Sequence, residues 1–213
     1  MTKDKSMELE TTSTEDKLIK LTEKSQGDYL AFLYDVDGTL AHNMHLHKAA
    51  YAKVAAGYGI ELDTKIIDES AGWPTVKVVE RINTLYETSI DPVTFAKEKT
   101  SVFVNELIVE TQPIDYVVDH LKNHVGKVRI AAVSGGSRST VTKTLGILGL
   151  LPFIELMVCA GETEKGKPYA DPFLRAAELL NVDPKKCLVF EDGDPGVEAA
   201  EAAGMDWIRI DKI

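Results

Sequence analysis

Two aspartates one residue apart, Asp35 and Asp37, follow an apolar stretch at residues 29–34 and precede Gly38 and Thr39. The stretch is typical of a strand that is buried on both faces of a parallel sheet. Ligands of open α/β sheets collect just beyond the carboxyl ends of such strands. Burial of apolar surface does not explain two acids there, because buried carboxylates need partners or a metal ion. The spacing therefore predicts carboxylate chemistry, the alternative being an Asp-rich turn that simply ends the strand.

Three later motifs also place polar side chains beside apolar stretches. Ser134 and Gly135 offer a hydroxyl and backbone N–H groups that could hold phosphate oxygens, although such residues also occur in ordinary turns. Lys167 could neutralise a phosphate as a point charge, or be a solvated surface lysine. Glu191 and Asp192 end an apolar segment and supply the oxygen ligands that Mg²⁺ prefers. In a parallel sheet, all of these side chains would meet at one edge.

The order of the predicted elements explains how these residues are positioned. From Pro113 onwards, short apolar segments alternate with segments of helical periodicity, which indicates βαβ units on a parallel sheet. Between the first strand and Pro113 lie about 65 residues of helical pattern with no convincing strand. The predicted fold class is therefore α/β, with a Rossmann-like parallel sheet core at residues 26–41 and 113–213 and an inserted α-helical cap subdomain at residues 42–112.

Composition limits the classes of function. The chain has 213 residues and a formal net charge of −10, which argues against a general nucleic-acid-binding protein. It has neither an apolar run of about 18 residues nor an N-terminal apolar signal core. Residues 1–25 are predicted to be a polar tail, in which a short helix could begin at Thr14. We therefore expect a cytoplasmic protein with no nucleic-acid or membrane partner, and a monomer, because no exposed apolar repeat stands out.

Taken together, the motifs resemble those of the haloacid dehalogenase superfamily of phosphotransferases over residues 28–213. Asp35 to Thr39 is similar to the first motif of that superfamily, Ser134 to the second, Lys167 to the third, and the pair Glu191–Asp192 to the fourth. The resemblance implies an enzyme of this superfamily, with a small-molecule phosphate ester as its partner and Mg²⁺ as its cofactor.

Longer sequence segments narrow the resemblance to one subgroup of the superfamily. Residues 166–173 and 190–205 are similar to the β-phosphoglucomutase-like subgroup, and residues 72–75 and 96–100 to its fructose-1-phosphate phosphatase branch. This resemblance implies a phosphoric monoester hydrolase that cleaves small sugar phosphates, such as fructose 1-phosphate, through an aspartyl-phosphate intermediate. The alternatives are a sugar phosphomutase of the β-phosphoglucomutase type and a non-catalytic, Mg²⁺-dependent phosphate-binding or regulatory module.

The resemblance also implies roles for the acids. Asp35 would attack phosphorus, and Asp37 would serve first as an acid and then as a base, which requires the two carboxyls to differ in protonation. Asp35, the backbone carbonyl of Asp37 and Asp192 would hold Mg²⁺, with Glu191 close by or acting through a water molecule.

The implied substrate- and phosphate-binding residues are Gly38, Thr39, Asn43, His47, Ser134, Gly135 and Lys167. Asn43 matches a position that faces the substrate in relatives, and His47 matches a histidine that positions the acid–base aspartate in mutase relatives. Those mutases also carry an arginine near residue 75, whereas residues 72–75 read Gly-Trp-Pro-Thr here, which favours hydrolysis. Trp73 could be an apolar platform for a sugar or an ordinary residue of the cap core.

Overall fold

The structure is a computed structural model that describes residues 13–70 and 73–213. Its strands, in chain order, are β1 (Ala31–Tyr34), β2 (Ala41–His42), β3 (Gln112–Pro113), β4 (Arg129–Val133), β5 (Leu156–Val158), β6 (Cys187–Glu191) and β7 (Asp206–Arg209). Its helices are α1 (Thr14–Lys24), α2 (Met44–Gly57), α3 (Lys65–Glu69), α4 (Thr75–Leu85), α5 (Pro92–Val102), α6 (Asp115–His124), α7 (Arg138–Ile147), α8 (Asp171–Leu180) and α9 (Asp194–Ala202). A π-helical turn at Phe103–Leu107 follows α5 directly.

Five parallel strands form the central sheet, in the order β5-β4-β1-β6-β7. β1 lies in the middle, where Ala31 pairs with Arg129 of β4 and with Cys187 of β6. The predicted fold class, α/β with a parallel sheet and a helical insert after the first strand, is confirmed. Because the strands are parallel, the residues that follow β1, β4 and β6 meet at one edge of the sheet.

Alternating side chains of the strands fill an apolar layer on each face of the sheet. On one face, Phe32 and Tyr34 of β1 pack in the same cluster as Leu121 of α6 and Leu145 of α7. On the other face, Leu33 packs with side chains from α8 and α9. Each fully buried side chain of this size contributes roughly 1.5–3 kcal/mol. Because both of its faces are packed against helices, the sheet holds the loops at its edge in position.

The helices between β1 and β3 have an apolar cluster of their own, which includes Tyr51, Ile82 and Phe95. Asp91 starts α5, because its carboxylate accepts a hydrogen bond from the Thr94 N–H at 2.8 Å. β2 and β3 pair antiparallel, so the two segments that connect these helices to the sheet lie side by side. The residue boundaries given above for cap and core stay a prediction. No helix in the described part of the chain has the length and apolar character needed to cross a membrane.

Helix α1 lies within the segment predicted as a polar tail, yet its Leu21 is fully buried against the sheet. Residues 1–12 of that segment lie outside the described residues. At the end of α1, Oγ of Ser25 lies 2.8 Å from Nε2 of His120, and the hydroxyl of Tyr34 lies 2.9 Å from Nδ1 of the same ring. His120 therefore connects α1, α6 and β1 through two buried hydrogen bonds.

We expect His120 to make the protein lose stability in mild acid. Burial, with a smaller contribution from His124, lowers the pKa of His120 from 6.5 to about 3. The unfolded chain then binds the proton more readily than the folded one. This contribution is fully present above pH 6.5 and is lost as the pH falls toward 3. The expected loss is about 1.4 kcal/mol for each pH unit in that window.

Urea unfolding across this pH range, with the free energy of unfolding as the readout, measures the effect. His120→Gln is expected to be less stable at neutral pH, because Ser25 and Tyr34 lose their partner. Between about pH 6.5 and 5, the free energy of unfolding of this variant should fall less steeply than that of the wild type, because about one proton fewer is taken up on unfolding. Equal slopes for the two proteins would contradict the assignment.

Candidate active site

The loop after β1 places two carboxylates at the edge of the sheet. The Asp35 N–H donates to the carbonyl of Phe190 at 3.0 Å, which continues the pairing with β6. Gly38 has a φ of +96°, and a Cβ there would lie 2.1 Å from Oδ2 of Asp192. The hydroxyl of Thr39 donates to Oδ1 of the same carboxylate at 3.0 Å. Only glycine at position 38 lets the loop approach Asp192 this closely.

Lys167 joins the carboxylates into one buried charge cluster. Its Nζ donates to Oδ1 of Asp35 at 2.6 Å, to Oε1 of Glu191 at 2.5 Å and to the carbonyl of Val133 at 2.9 Å. The three charged side chains are no more than 10% exposed. Burial alone would lower the pKa of Lys167, but Asp35 and Glu191 outweigh it and raise that pKa. Lys167 is therefore a buried ammonium ion, not a solvated surface lysine.

Asp35, Glu191 and Asp192 also form a candidate cation site, because one carboxylate oxygen from each lies within 4.8 Å of the others. Burial raises the pKa of Asp35 well above its usual value; Lys167 opposes this, and the two neighbouring carboxylates add to it. Burial and Glu191 likewise raise the pKa of Asp192 to about 6. Three carboxylates face one ammonium group, so the cluster carries an excess of negative charge. Oxygen donors with excess negative charge fit a hard divalent cation.

The carboxylate of Asp37 lies apart from this cluster, against the start of α2. Nδ2 of Asn43 donates to its Oδ1 at 2.6 Å, and Nε2 of His47 lies 3.4 Å from the same oxygen. Burial alone would raise the pKa of Asp37, but His47, Asn43 and Lys99 together lower it to about 2. The roles expected for the two acids require their carboxyls to differ in protonation, and their pKa values do differ. In the resting site, however, the raised pKa belongs to Asp35, where three carboxylates crowd together, and not to Asp37.

Lys99 completes this side of the site, although none of the motifs described above includes it as a site residue. Its Nζ lies 2.7 Å from Nδ1 of His47, and burial lowers its pKa to about 8. Because an ammonium group only donates, Nδ1 of His47 accepts, and a neutral ring then carries its proton on Nε2, towards Asp37. A signal for Lys99 exists in the sequence. Phe95, Lys99 and Phe103 recur every four residues, and a lysine in an apolar stripe indicates functional burial.

The site residues surround a cavity of about 220 Å³ between the sheet edge and the helices that follow β1. Eight of the predicted site residues line it: Asp35, Asp37, His47, Ser134, Gly135, Lys167, Glu191 and Asp192. Ser134 is buried, and its Oγ accepts a hydrogen bond from the Gly136 N–H at 3.0 Å. Gly38 and Thr39 contact Asp192 from outside the cavity wall. Asn43 is fully buried and donates to Asp37, and the expectation that it faces the substrate stays a prediction.

Comparison with known proteins agrees with the motifs. The family of haloacid dehalogenase-like hydrolases matches residues 29–204 of the chain. The chain belongs to this family. The fructose-1-phosphate phosphatase YqaB of Escherichia coli is 34% identical over 183 residues, which cover 85% of this chain and 96% of that relative. The phosphorylated carbohydrates phosphatase of Thermotoga maritima is 30% identical over 184 residues, which cover 84% of this chain and 83% of that relative.

A solved structure of this fold supports the subgroup as well. The crystal structure of β-phosphoglucomutase from Clostridium difficile is similar with a TM-score of 0.72 and 26% identity, over 85% of this chain and 84% of that chain. As a haloacid dehalogenase-like hydrolase with phosphatase relatives, the chain is a phosphoric monoester hydrolase, as the motifs predicted. Enzymes of this superfamily generally use a divalent metal ion, for which the cluster of Asp35, Glu191 and Asp192 is suited.

Proposed function

We propose that this protein is a Mg²⁺-dependent phosphatase that hydrolyses small sugar phosphates through an aspartyl-phosphate on Asp35. The observation that carries the proposal is the position of Lys167, whose Nζ lies 2.6 Å from Asp35 and 2.5 Å from Glu191. A nucleophilic carboxylate, a cation for phosphate and a set of metal ligands thereby share one wall of the cavity. The printed names of two relatives, a fructose-1-phosphate phosphatase and a phosphorylated carbohydrates phosphatase, support the substrate class.

In the first step, an oxygen of Asp35 attacks phosphorus, and the bond from phosphorus to the leaving sugar oxygen breaks. Lys167 and Ser134 hold the nonbridging phosphate oxygens, and Asp37 gives its proton to the leaving oxygen. The pKa of Asp37 is about 2 in the resting site, so this proton must be acquired when substrate binds. An incoming phosphate dianion favours such uptake, because like charge raises the pKa of a carboxyl group.

In the second step, Asp37 takes a proton from a water molecule that attacks phosphorus, and the bond between Asp35 and phosphorus breaks. The contacts of Asp37 suit this step, because Asn43 and His47 favour the ionised carboxylate that acts as the base. The free carboxylate of Asp35 and inorganic phosphate are the products. The helices at residues 42–112 would act as a cap that excludes water during the first step.

The metal ion belongs to the same proposal. When bound, Mg²⁺ would offset the repulsion between Asp35 and phosphate and stabilise charge on the nonbridging oxygens. Asp35, the backbone carbonyl of Asp37 and Asp192 would hold it, with Glu191 close by. A cation beside Asp35 would also lower the raised pKa of that carboxyl and so favour the nucleophilic form.

The charges of the cavity favour hydrolysis over a phosphomutase that passes through a bisphosphate. Among the described residues of the wall, the two lysines are both engaged, Lys167 by the carboxylates and Lys99 by His47. Thr75, near the place where mutase relatives carry an arginine, lines the cavity without a charge. Arg138, just beyond the Ser134 loop, is turned away and paired with the carboxylate of Glu162. A second phosphate would therefore find no free cation in the described wall.

Removal of metal ions is expected to lower phosphate release from fructose 1-phosphate by at least about 10²-fold, because Asp35 and phosphate then repel each other. Phosphate release is measured in chelator and again after addition of Mg²⁺, which should restore it. The matched assay follows formation of glucose 6-phosphate from β-glucose 1-phosphate. Undiminished release in chelator would contradict the metal requirement, and isomerised product without free phosphate would show a mutase instead.

A further inference from the structure

The helical wall of the cavity carries a partly uncovered aromatic ring. Trp73 lines the cavity, yet 45% of its surface is exposed. The guanidinium carbon of Arg81 lies 5.9 Å from the centre of the ring, which is within the range of a cation–π contact. Trp73 lies just before α4 and Arg81 in the second turn of that helix, so α4 itself holds the cation beside the ring.

Arg81 also binds the residues that precede Trp73. Its Nη1 donates to Oγ of Ser70 at 3.1 Å, and its Nη2 contacts the carboxylate of Glu69. Residues 71–72, between these contacts, lie outside the described residues. Arg81 thus contacts described residues on both sides of positions 71–72. A guanidinium suits this task because its donors lie in one plane, and the face of that plane stays free for an aromatic ring.

The side chains at this part of the cavity offer a ligand uncharged contacts. Glu69 pairs with the charge of Arg81, so the guanidinium is not a free anion site. Ser70 is 3% exposed and lines the cavity. Because Arg81 only donates, the Ser70 oxygen accepts from it, and the hydroxyl proton stays available to a ligand. The ring of Trp73 adds a flat apolar surface that suits the C–H groups of a sugar.

We propose that Arg81 is a positioning residue for substrate recognition, which holds Ser70 and Trp73 so that together they bind the uncharged, hydroxyl-bearing end of the phosphate ester. The inference rests on the proposed function, because that function places the phosphate end at Asp35. It names the residues that would distinguish a sugar phosphate from a phosphate ester without hydroxyl groups. Arg81 itself touches neither phosphorus nor the sugar.

Arg81→Met tests the inference, because methionine keeps the apolar stem and removes the planar donors. Fructose 1-phosphate is compared with acetyl phosphate, whose two-carbon group has no hydroxyl. The ratio of the two kcat/KM values is expected to fall at least about tenfold, mainly through KM for the sugar phosphate. Arg81→Lys, which retains only the charge for Glu69, should give an intermediate ratio. Arg175→Met is the matched control; this arginine pairs with Glu178 on α8, far along the chain, and the ratio should not change.

Three further variants give a test that does not depend on whether Arg81→Met folds. Ser70→Ala and Trp73→Ala should each lower the same ratio at least about threefold, and Trp73→Phe less than Trp73→Ala. Unchanged ratios, or equal losses on both substrates, would overturn the inference and leave the phosphatase proposal standing. Turnover of acetyl phosphate with no turnover of any sugar phosphate would instead overturn the proposed substrate class, and the inference with it.

Fluorescence supplies a binding measurement without turnover. The chain has two tryptophans, so Trp73 is the only one left after Trp207→Phe. In a variant that carries both Trp207→Phe and Asp35→Asn, binding of fructose 1-phosphate is expected to change the fluorescence emission of Trp73. Arg81→Met should weaken the apparent affinity at least about tenfold. An equal affinity with and without Arg81 would contradict the positioning role.

Discussion

Asp35→Asn is expected to lower kcat for fructose 1-phosphate by at least about 10³-fold, because an amide is neither ionised nor nucleophilic and no aspartyl-phosphate can form. The amide has nearly the shape of the carboxylate, so the cavity and the contacts of Lys167 with Glu191 and Val133 should persist. Initial rates of phosphate release at saturating Mg²⁺ measure the change.

Thermal unfolding separates this loss from a loss of folding. Asp35 is buried and faces Glu191 and Asp192, so removing its charge relieves desolvation and repulsion while it weakens one contact of Lys167. In chelator, the variant should therefore unfold at about the wild-type temperature. Asp119→Asn, an exposed aspartate of α6, is the matched control and should keep full activity. Near-normal turnover by Asp35→Asn would refute the assigned nucleophile.

Lys167→Met is expected to affect both activity and stability. Lys167 neutralises buried carboxylates that would otherwise face one another without a counter-charge. Removing one member of a buried ion pair typically costs about 3–5 kcal/mol. In chelator we therefore expect a loss of about that size in the free energy of unfolding, and added Mg²⁺ should recover part of it. The kcat/KM should fall at least about 10²-fold, because the phosphate loses its cation.

A second substitution shows whether charge is the cause of the instability. Glu191→Gln in the Lys167→Met background removes one uncompensated carboxylate, so the double variant should be more stable in chelator than Lys167→Met alone. Lys165→Met, an exposed lysine of the same loop, is the matched control and should change neither quantity by much. If the double variant were the less stable one, lost packing and not lost charge would explain the effect.

The positions of the main site residues follow from their order along the chain. Asp35 follows β1, Ser134 follows β4, and Glu191 ends β6. Parallel strands joined by right-handed crossovers bring these ends to one edge, so their proximity could be predicted before any coordinate was known. The same logic predicted the fold class, because alternating apolar and helical segments have few other ways to bury their apolar faces.

Contacts between helices could not be predicted in the same way. Lys99 contacts His47 only because α5 packs against α2, and Arg81 contacts Ser70 only because α4 lies beside that residue. Helical periodicity tells which residues share a face, but it does not tell which face of a second helix they meet. The docking of α1 through Leu21 was missed for the same reason, since a short polar helix does not reveal its partner.

The sequence by itself determined the parallel sheet, the acidic side chains at its edge and the family. The sheet follows from the local periodicity of apolar residues, and the acidic edge and the family follow from short motifs that can be read directly along the chain. Only the tertiary structure decided that Lys167 is a buried cation, that Asn43 donates to Asp37, that Lys99 lines the cavity and that Arg81 contacts Ser70 of its wall. The physical reason is that burial and partner choice arise from the packing of segments distant in sequence. The same lysine or asparagine would be an ordinary surface residue on a differently packed helix or loop.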